Sequence, residues 1–435
     1  MRLLRSAVLP GLLWISAGCR TAVPPVSDVK GAIEITAADK PALMAKGTIL
    51  ADRENHVANF TPELIKRGPL DHTFTKLEGG KLPFPAEMEC DFVEPVVTET
   101  LSGKSRKFDC KNSDGKSWKV KYGPDNPELY YEVLTTRLFW VLGFFADRDY
   151  PVRVICRGCP DEPFTYIKKA HELYAKGQSP DEIKTKLARE HHNPLTLYKE
   201  AIVELKTGDK LEVRPSGETG WGFDQLRPLV LPDDYKCEEG QCERIAREGF
   251  IALAAFILHL DSKVDNQRIF CMEDGAKGKT VCRDQDIGLM IQDGGASFVG
   301  YQFPVLGKVV PVPPKTELEL WKKWSIWKDH RPCQIVMPTT PGHVLSDQSF
   351  FKATISEDGR KFIADRLRRL SVEQIDALLA AAHIDRRIHP DRPATDPDNR
   401  KYVFKFREAF IDKIHIITDV TCPYRLETNI THYPK

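Results

Sequence analysis

The sequence predicts an α+β protein with a small β-rich N-terminal part and a mainly helical C-terminal part. Three observations carry that expectation. Short alternating runs broken by turn residues fill the stretch from about 75 to 122. A long helical run extends from Arg244 to Leu258, nearly all apolar from Gly249 on. Capped amphipathic segments then follow at Ser356–Leu370, Ser371–Ala382 and Lys401–Ile417.

The 435 residues suffice for two or three units with real cores. A hydrophobic share of 41% and a charged share of 29% describe a globular chain rather than a disordered or fibrous one. The formal charge of +1 provides no global field, so nucleic-acid binding through bulk electrostatics is not expected. No apolar run approaches a membrane-spanning length.

At the N-terminus, Arg2 and Arg5 precede the apolar run Ala7–Ile15 and then Ser16-Ala17-Gly18-Cys19. Residues 1–19 resemble a bacterial lipoprotein signal, with Cys19 as the acylated first residue of the mature chain. An ordinary secretory signal is the alternative. Residues 20–75 then read as a tether, rich in Pro, Val and small polar residues to about 32, and an N-terminal extension. The expectation is an exported protein of the cell envelope, periplasmic or surface-facing, that meets the membrane through its lipid anchor alone. Ten cysteines besides Cys19 make an even set, which suits disulfides in an oxidising compartment. Cys271 and Cys282 bracket a polar stretch and suit a staple across a hairpin. Cys156-Arg157-Gly158-Cys159 is a C-x-x-C that suits redox chemistry or half a zinc site, but no second C-x-x-C and no His pair completes one.

Residues 76–216 read as the β-rich part. Asp91–Val97, Lys107–Cys110 and Ser117–Tyr122 are short β-like runs, the last two flanking the turn signal Asn112-Ser113-Asp114-Gly115. Asn126 suits a helix N-cap and Pro127 the first helical position. The apolar run Leu129–Leu142 continues that helix until Gly143 stops it. A Lys-bearing strand thus leads into a Glu-bearing helix, the order in which a buried ion pair can also grip phosphate oxygens. Lys121 is the expected partner on the strand, with Lys119 on the same face as its rival. Glu132 is expected on the helix, because Glu128 is explained as a first-turn acid. A charged helical insertion is expected near 160–195, with Ser179-Pro180-Asp181-Glu182 capping its second helix. Ala201–Leu205 and Lys210–Val213 would close the N-terminal sheet, and Gly217–Gly222 suits a flexible hinge.

Residues 217–435 read as the helical part. The Arg244–Leu258 helix runs into His259-Leu260-Asp261-Ser262-Lys263-Val264-Asp265-Asn266. Strands at Arg268–Met272 and Ile287–Ile291 follow, and the second delivers Asp293-Gly294-Gly295. This topology brings Asn266 beside Asp293, where both can offer oxygen to one hard cation. Trp321, Trp324 and Trp327, spaced every three residues, suggest a helix docked on a core.

The order H-x-D-x-K-x-x-N, then D-x-G, downstream of a strand Lys and a helix Glu, resembles the protein-kinase-like superfamily. The resemblance covers roughly residues 80 to 300 and implies a two-lobed fold. It implies Asp261 as catalytic base, Lys263 as the residue steadying the transferred phosphoryl group, and Asn266 and Asp293 as metal ligands. Lys121, partnered by Glu132, would bind phosphate. The implied cofactors are ATP or another nucleotide with Mg²⁺ or Mn²⁺, and the implied partner is a phosphate acceptor, protein or small molecule. Leu260 and Gly294 replace the Arg and Phe of the usual motifs. No G-x-G-x-x-G is present, Gly79-Gly80 and Ser102-Gly103 being weak substitutes, and no A-P-E closes the segment after Asp293. The pattern is therefore closer to the atypical branch with HipA-type, secretory-pathway and phosphoinositide kinases. The alternative expectation is a non-catalytic envelope lipoprotein that binds or scaffolds.

Overall fold

The computed structural model describes residues 33–69, 86–98, 101, 103, 105–113, 115, 117–188, 190, 192–226, 243–272, 282–298, 302–305, 308–328, 331–335 and 353–423. The signal and Cys19, the tether to 32, Gly79-Gly80, Cys237, Cys242 and the 273–279 turn lie outside them.

The chain is α+β. Its first elements are β1 (Ile33–Thr36), α1 (Lys40–Lys46) and α2 (Pro62–Arg67). Then come β2 (Glu87–Phe92), β3 (Lys107–Lys111), β4 (Ser117–Tyr122), α3 (Glu128–Val141) and β5 (Arg148–Pro160). The helices α4 (Pro163–Ala175) and α5 (Pro180–Leu187) lead to β6 (His192–Leu205) and β7 (Asp209–Arg214). Strands β2-β3-β4-β6-β5 close into a barrel, with β2 parallel to β5. Alternation fills its interior: Phe108, Cys110, Val120 and Tyr122 point inward, each nearly or wholly buried. Closure depends on β5 and β6, which pair over almost their whole length and carry β5 round to the edge of β2.

The remaining elements are the short α6 (Phe223–Leu226), α7 (Glu243–Phe256), β8 (Gln267–Cys271), β9 (Ile287–Ile291), α8 (Pro314–Lys323), α9 (Glu357–Arg368), α10 (Val372–Ala381) and α11 (Pro397–Thr418). Two small hairpins, at 302–311 and 327–335, lie between β9 and α9. A second sheet runs β1-β7-β8-β9. Every residue of α3 after Glu128 is buried. The helix packs on β5 with one side and on α10 with another, so its sequence is apolar all round.

Ser117–Tyr122 and Ile287–Ile291 form the strands expected of them. Asn126 Oδ1 accepts the Glu128 N–H at 3.1 Å, while the helix starts one residue later than expected, at Glu128 with Pro127 as its N-cap. Capping boxes form at Ser179/Glu182 and Ser371/Gln374. Other expectations need correction. The 33–67 segment of the expected extension is structured: β1 pairs with β7, and Ile65 and Phe60 are buried in the core. The strand expected to reach Val97 ends at Phe92, because Pro95 has no N–H to continue a ladder. β6 begins at His192, taking residues assigned to the helical insertion. Lys210–Val213 leaves the barrel and joins β1 and β8 instead of closing the N-terminal sheet. The Gly217–Gly222 segment is packed rather than hinge-like. A Cβ at Gly220 would lie 1.7 Å from the Val264 carbonyl oxygen, and buried Trp221 donates Nε1–H to Arg268 O at 3.1 Å. Of the three tryptophans, only Trp321 is helical and fully buried; Trp324 ends α8 and Trp327 lies in a strand.

Among the described residues four disulfides are formed, Cys90–Cys110, Cys156–Cys159, Cys271–Cys282 and Cys333–Cys422, which fits an oxidising, extracytoplasmic compartment. The C-x-x-C is thus a closed pair and the expected Cys271–Cys282 staple is present. No helix among the described residues is long and apolar enough to cross a membrane.

Candidate functional site

Strand period and helix position together create the first half of the site. Val120 points into the barrel, so Lys121 points out, toward α3. There Nζ donates to Glu132 Oε1 at 2.7 Å and Oε2 at 2.6 Å. Lys121 is 4% exposed and Glu132 is fully buried. One turn earlier on the same helix face, Glu128 Oε2 lies 3.7 Å from the same ammonium, and Ser105 donates its hydroxyl to it. Asp293 Oδ1 is 4.0 Å away. Lys119 makes no contact with Glu132; it faces Glu204 at 3.7 Å across β4 and β6.

The second half grows from the end of α7. Leu258 adopts φ 54°, which turns the chain out of the helix into His259–Asn266. Asn266 is the organiser of this loop. Its Nδ2 donates to Asp261 O at 2.7 Å, and its own carbonyl accepts from Gln292 N at 2.9 Å and Asp293 N at 3.3 Å. Asp261 and Asp293 are therefore fixed to one residue, Asp261 through the Asn266 side-chain amide and Asp293 through its backbone carbonyl. Lys263 Nζ donates to Asp261 Oδ2 at 3.0 Å. Asp293 in turn accepts from Gly295 N at 3.3 Å, and its carboxylate is 42% exposed.

The two glycines after Asp293 are a steric requirement of α3. A Cβ at Gly294 would lie 2.6 Å from Thr135 Cγ2, and one at Gly295 2.9 Å from Glu128 Cγ. A bulky side chain at position 294 has no room here.

Electrostatics follow from this crowding. Burial opposes charge on Lys121, but Glu132, Asp293 and Glu128 outweigh it and hold its pKa well above the ordinary value. Burial would raise Asp293, yet the Lys121 ammonium and the Gly295 N–H keep its carboxyl below the usual range. Burial pushes the wholly enclosed His259 down to about 4, so it is neutral at pH 7. Behind the ion pair, Glu132, Asp149 and Glu204 bring carboxylate oxygens within 4.8 Å of one another. Lys206 and Arg268 bind Asp147 at 3.0 and 2.8 Å, and Lys206 also pairs with Glu204. Arg268, from β8, thereby ties the strand after the Asp261 loop to the barrel.

No known family model matches the chain, and no curated protein matches it. The functional reading rests on the site itself.

The expected residues fall into two groups. Lys121, Glu132 and Asp293 meet around one ammonium. Asp261, Lys263 and Asn266 form a hydrogen-bonded loop joined to Asp293 through backbone. Lys119 stands beside these groups, outside the ion pair. The sequence reading missed Glu128, Ser105 and Lys107. Glu128 was open to discovery, since it stands four residues before Glu132 and so shares its face. Lys107 was too, because the turn at Asn112–Gly115 folds the hairpin so that Lys107 lies opposite Lys121. Ser105 carried no signal, since its approach to Glu128 depends on tertiary packing.

Proposed function

We propose that the chain is an extracytoplasmic, metal- and nucleotide-dependent phosphotransferase of atypical kinase-like, two-lobed fold. On this reading the barrel, which has its own core, would be the small lobe, and α3 would pack its apolar residues into the core of α7 and the later helices. The observation that carries this reading is the position of Lys121 Nζ, 2.6 Å from Glu132 and 4.0 Å from Asp293. Kinases place a phosphate-binding Lys on a strand, its Glu partner on the next helix and a metal-binding Asp downstream. This chain has the three in that order and brings them to one point.

Each residue then takes a role that its surroundings support. Lys121 orients phosphate oxygens and is held charged by its carboxylates. Asp293 and the amide oxygen of Asn266 supply hard oxygen ligands suited to Mg²⁺ or Mn²⁺. The bond from Asn266 Nδ2 to Asp261 O fixes which end of the amide is oxygen. Asp261, 41% exposed, is the group to align and deprotonate an acceptor hydroxyl, with Lys263 beside it.

The test is thermal unfolding of the oxidised protein with ATP and Mg²⁺ or Mn²⁺, alone and together. A ligand at about a hundred times its Kd adds about 2.7 kcal/mol. The expected result is a metal-dependent rise in Tm that Asp293→Ala abolishes. The absence of any shift with any nucleotide and metal would overturn the reading in favour of a scaffold.

A further inference from the structure

A second lysine lies on the same sheet face as Lys121. In the β3–β4 hairpin, Lys107 stands directly opposite Lys121 and Asp109 opposite Lys119. Phe108, Val120 and Tyr122 alternate with them and fill the barrel, so Lys107, Lys119 and Lys121 share the outer face. Like charges directly opposite each other on neighbouring strands repel. Here the pair is also partly removed from water, with Lys121 buried and Lys107 half-buried. A Cβ on Gly103, at φ +74°, would lie 3.0 Å from the Lys107 Nζ. Besides the two other lysines, its field comes from Asp293 and Glu128, the acids that flank Lys121.

Two ammonium groups at paired strand positions, about 5 Å apart at Cα, suit a ligand whose negative charge extends over more than one group. We propose that Lys107 is a second phosphate-binding residue, so that the site selects a phosphoanhydride chain, a di- or triphosphate, over a monophosphate. The proposal rests on the nucleotide-site reading above and names the class of ligand that site takes. Burial and the two neighbouring lysines push Lys107 down to about 8. An arriving polyanion would reverse that balance and favour the charged form.

The experiment is calorimetric titration of the oxidised full chain with AMP, ADP, ATP and inorganic tripolyphosphate, each with Mg²⁺. Wild type is expected to bind ADP, ATP and tripolyphosphate at least tenfold more tightly than AMP. Lys107→Met should weaken tripolyphosphate and ATP by tenfold or more and leave AMP unchanged, while Lys107→Arg, which keeps the charge, restores most of the affinity. Lys107→Gln replaces the Met variant if that one fails to fold, as judged by its melting curve without ligand. If ATP binding is lost in Lys121→Met but untouched in Lys107→Met, the proposal falls and the nucleotide site stands. Equal weakening of AMP and ATP in Lys107→Met also overturns it. Failure of wild type to bind any of the four overturns both readings.

Discussion

Lys121 Nζ lies 2.6 Å from Glu132 Oε2, and neither side chain is more than 5% exposed. The barrel strand β4 and the helix α3 are thus joined by a buried ion pair. Removing one partner of such a pair leaves a desolvated charge and costs about 3–5 kcal/mol, whereas replacing both with apolar groups of similar size is near neutral. Lys121→Met is expected to lose that amount in urea unfolding, and Lys121→Met with Glu132→Leu to recover most of it. Equal losses in the single and double variants would mean that Glu132 finds another cation when Lys121 is gone.

Gly294 sets how closely the Asp293 turn approaches α3. An alanine methyl at this position would meet Thr135 Cγ2 at only 2.6 Å, so Gly294→Ala forces α3 and the turn apart. Overpacking of this kind costs about 1–3 kcal/mol. The same displacement moves Asp293 off Lys121, so the variant should lose the ATP-dependent rise in Tm as well. Full stability together with full nucleotide response would show that the turn has slack the contacts do not suggest.

What the sequence made legible is what local rules govern. Period-two alternation located Ser117–Tyr122 and put Lys121 opposite the barrel core. The Asn126-Pro127 signal located α3, and its length placed Glu132 one turn inside. The H-x-D-x-K-x-x-N and D-x-G spacings located both loops, because a short hairpin between them leaves little choice of geometry. What stayed hidden depends on long-range pairing. Nothing local to Lys210–Val213 says that it pairs with β1 and β8, since alternation identifies a strand and not its neighbour. β5 was missed because Pro151 and the turn-like Arg157-Gly158 interrupt its pattern. The barrel tolerates them through a register shift at Val152–Val154 and a disulfide within the strand. Glu128 was assigned to the helix dipole, a sufficient local explanation that tertiary contact with Ser105 and Lys121 supersedes.

The Cys333–Cys422 disulfide joins the 331–335 strand to the chain just after α11, across 89 residues. Closing a loop of that length restricts the unfolded chain by about 4–5 kcal/mol, far more than the three-residue Cys156–Cys159 link. Cys333→Ser with Cys422→Ser should therefore lower unfolding stability by about that much, measured in urea without reductant. A loss no greater than that of a Cys156→Ser, Cys159→Ser variant would contradict the loop-length argument.

Asp149 and His259 tilt the dependence of stability on pH in opposite senses. His259 is fully buried, with its pKa pushed by burial from 6.5 to about 4. Between those values the unfolded chain binds a proton that the folded chain refuses, so stability falls as pH drops through that window. Asp149 is also fully buried; burial, and then Glu204, raise it from 3.8 to about 8. Here the folded chain keeps a proton that the unfolded chain releases, so stability is full below about 4 and declines as pH rises toward 8. Each slope is about 1.4 kcal/mol per pH unit. From about 4 to 6.5 these two cancel; above about 6.5 His259 drops out and Asp149 acts, joined up to about 7 by Glu317, which burial raises to about 7. Wild type should thus lose stability between pH 6.5 and 8, and Asp149→Asn, whose amide cannot ionise, should gain on it steadily across that interval in urea unfolding. Parallel curves for the two proteins would mean that Asp149 is already ionised in the folded chain at pH 6.5, its charge balanced by Lys121 and Lys206.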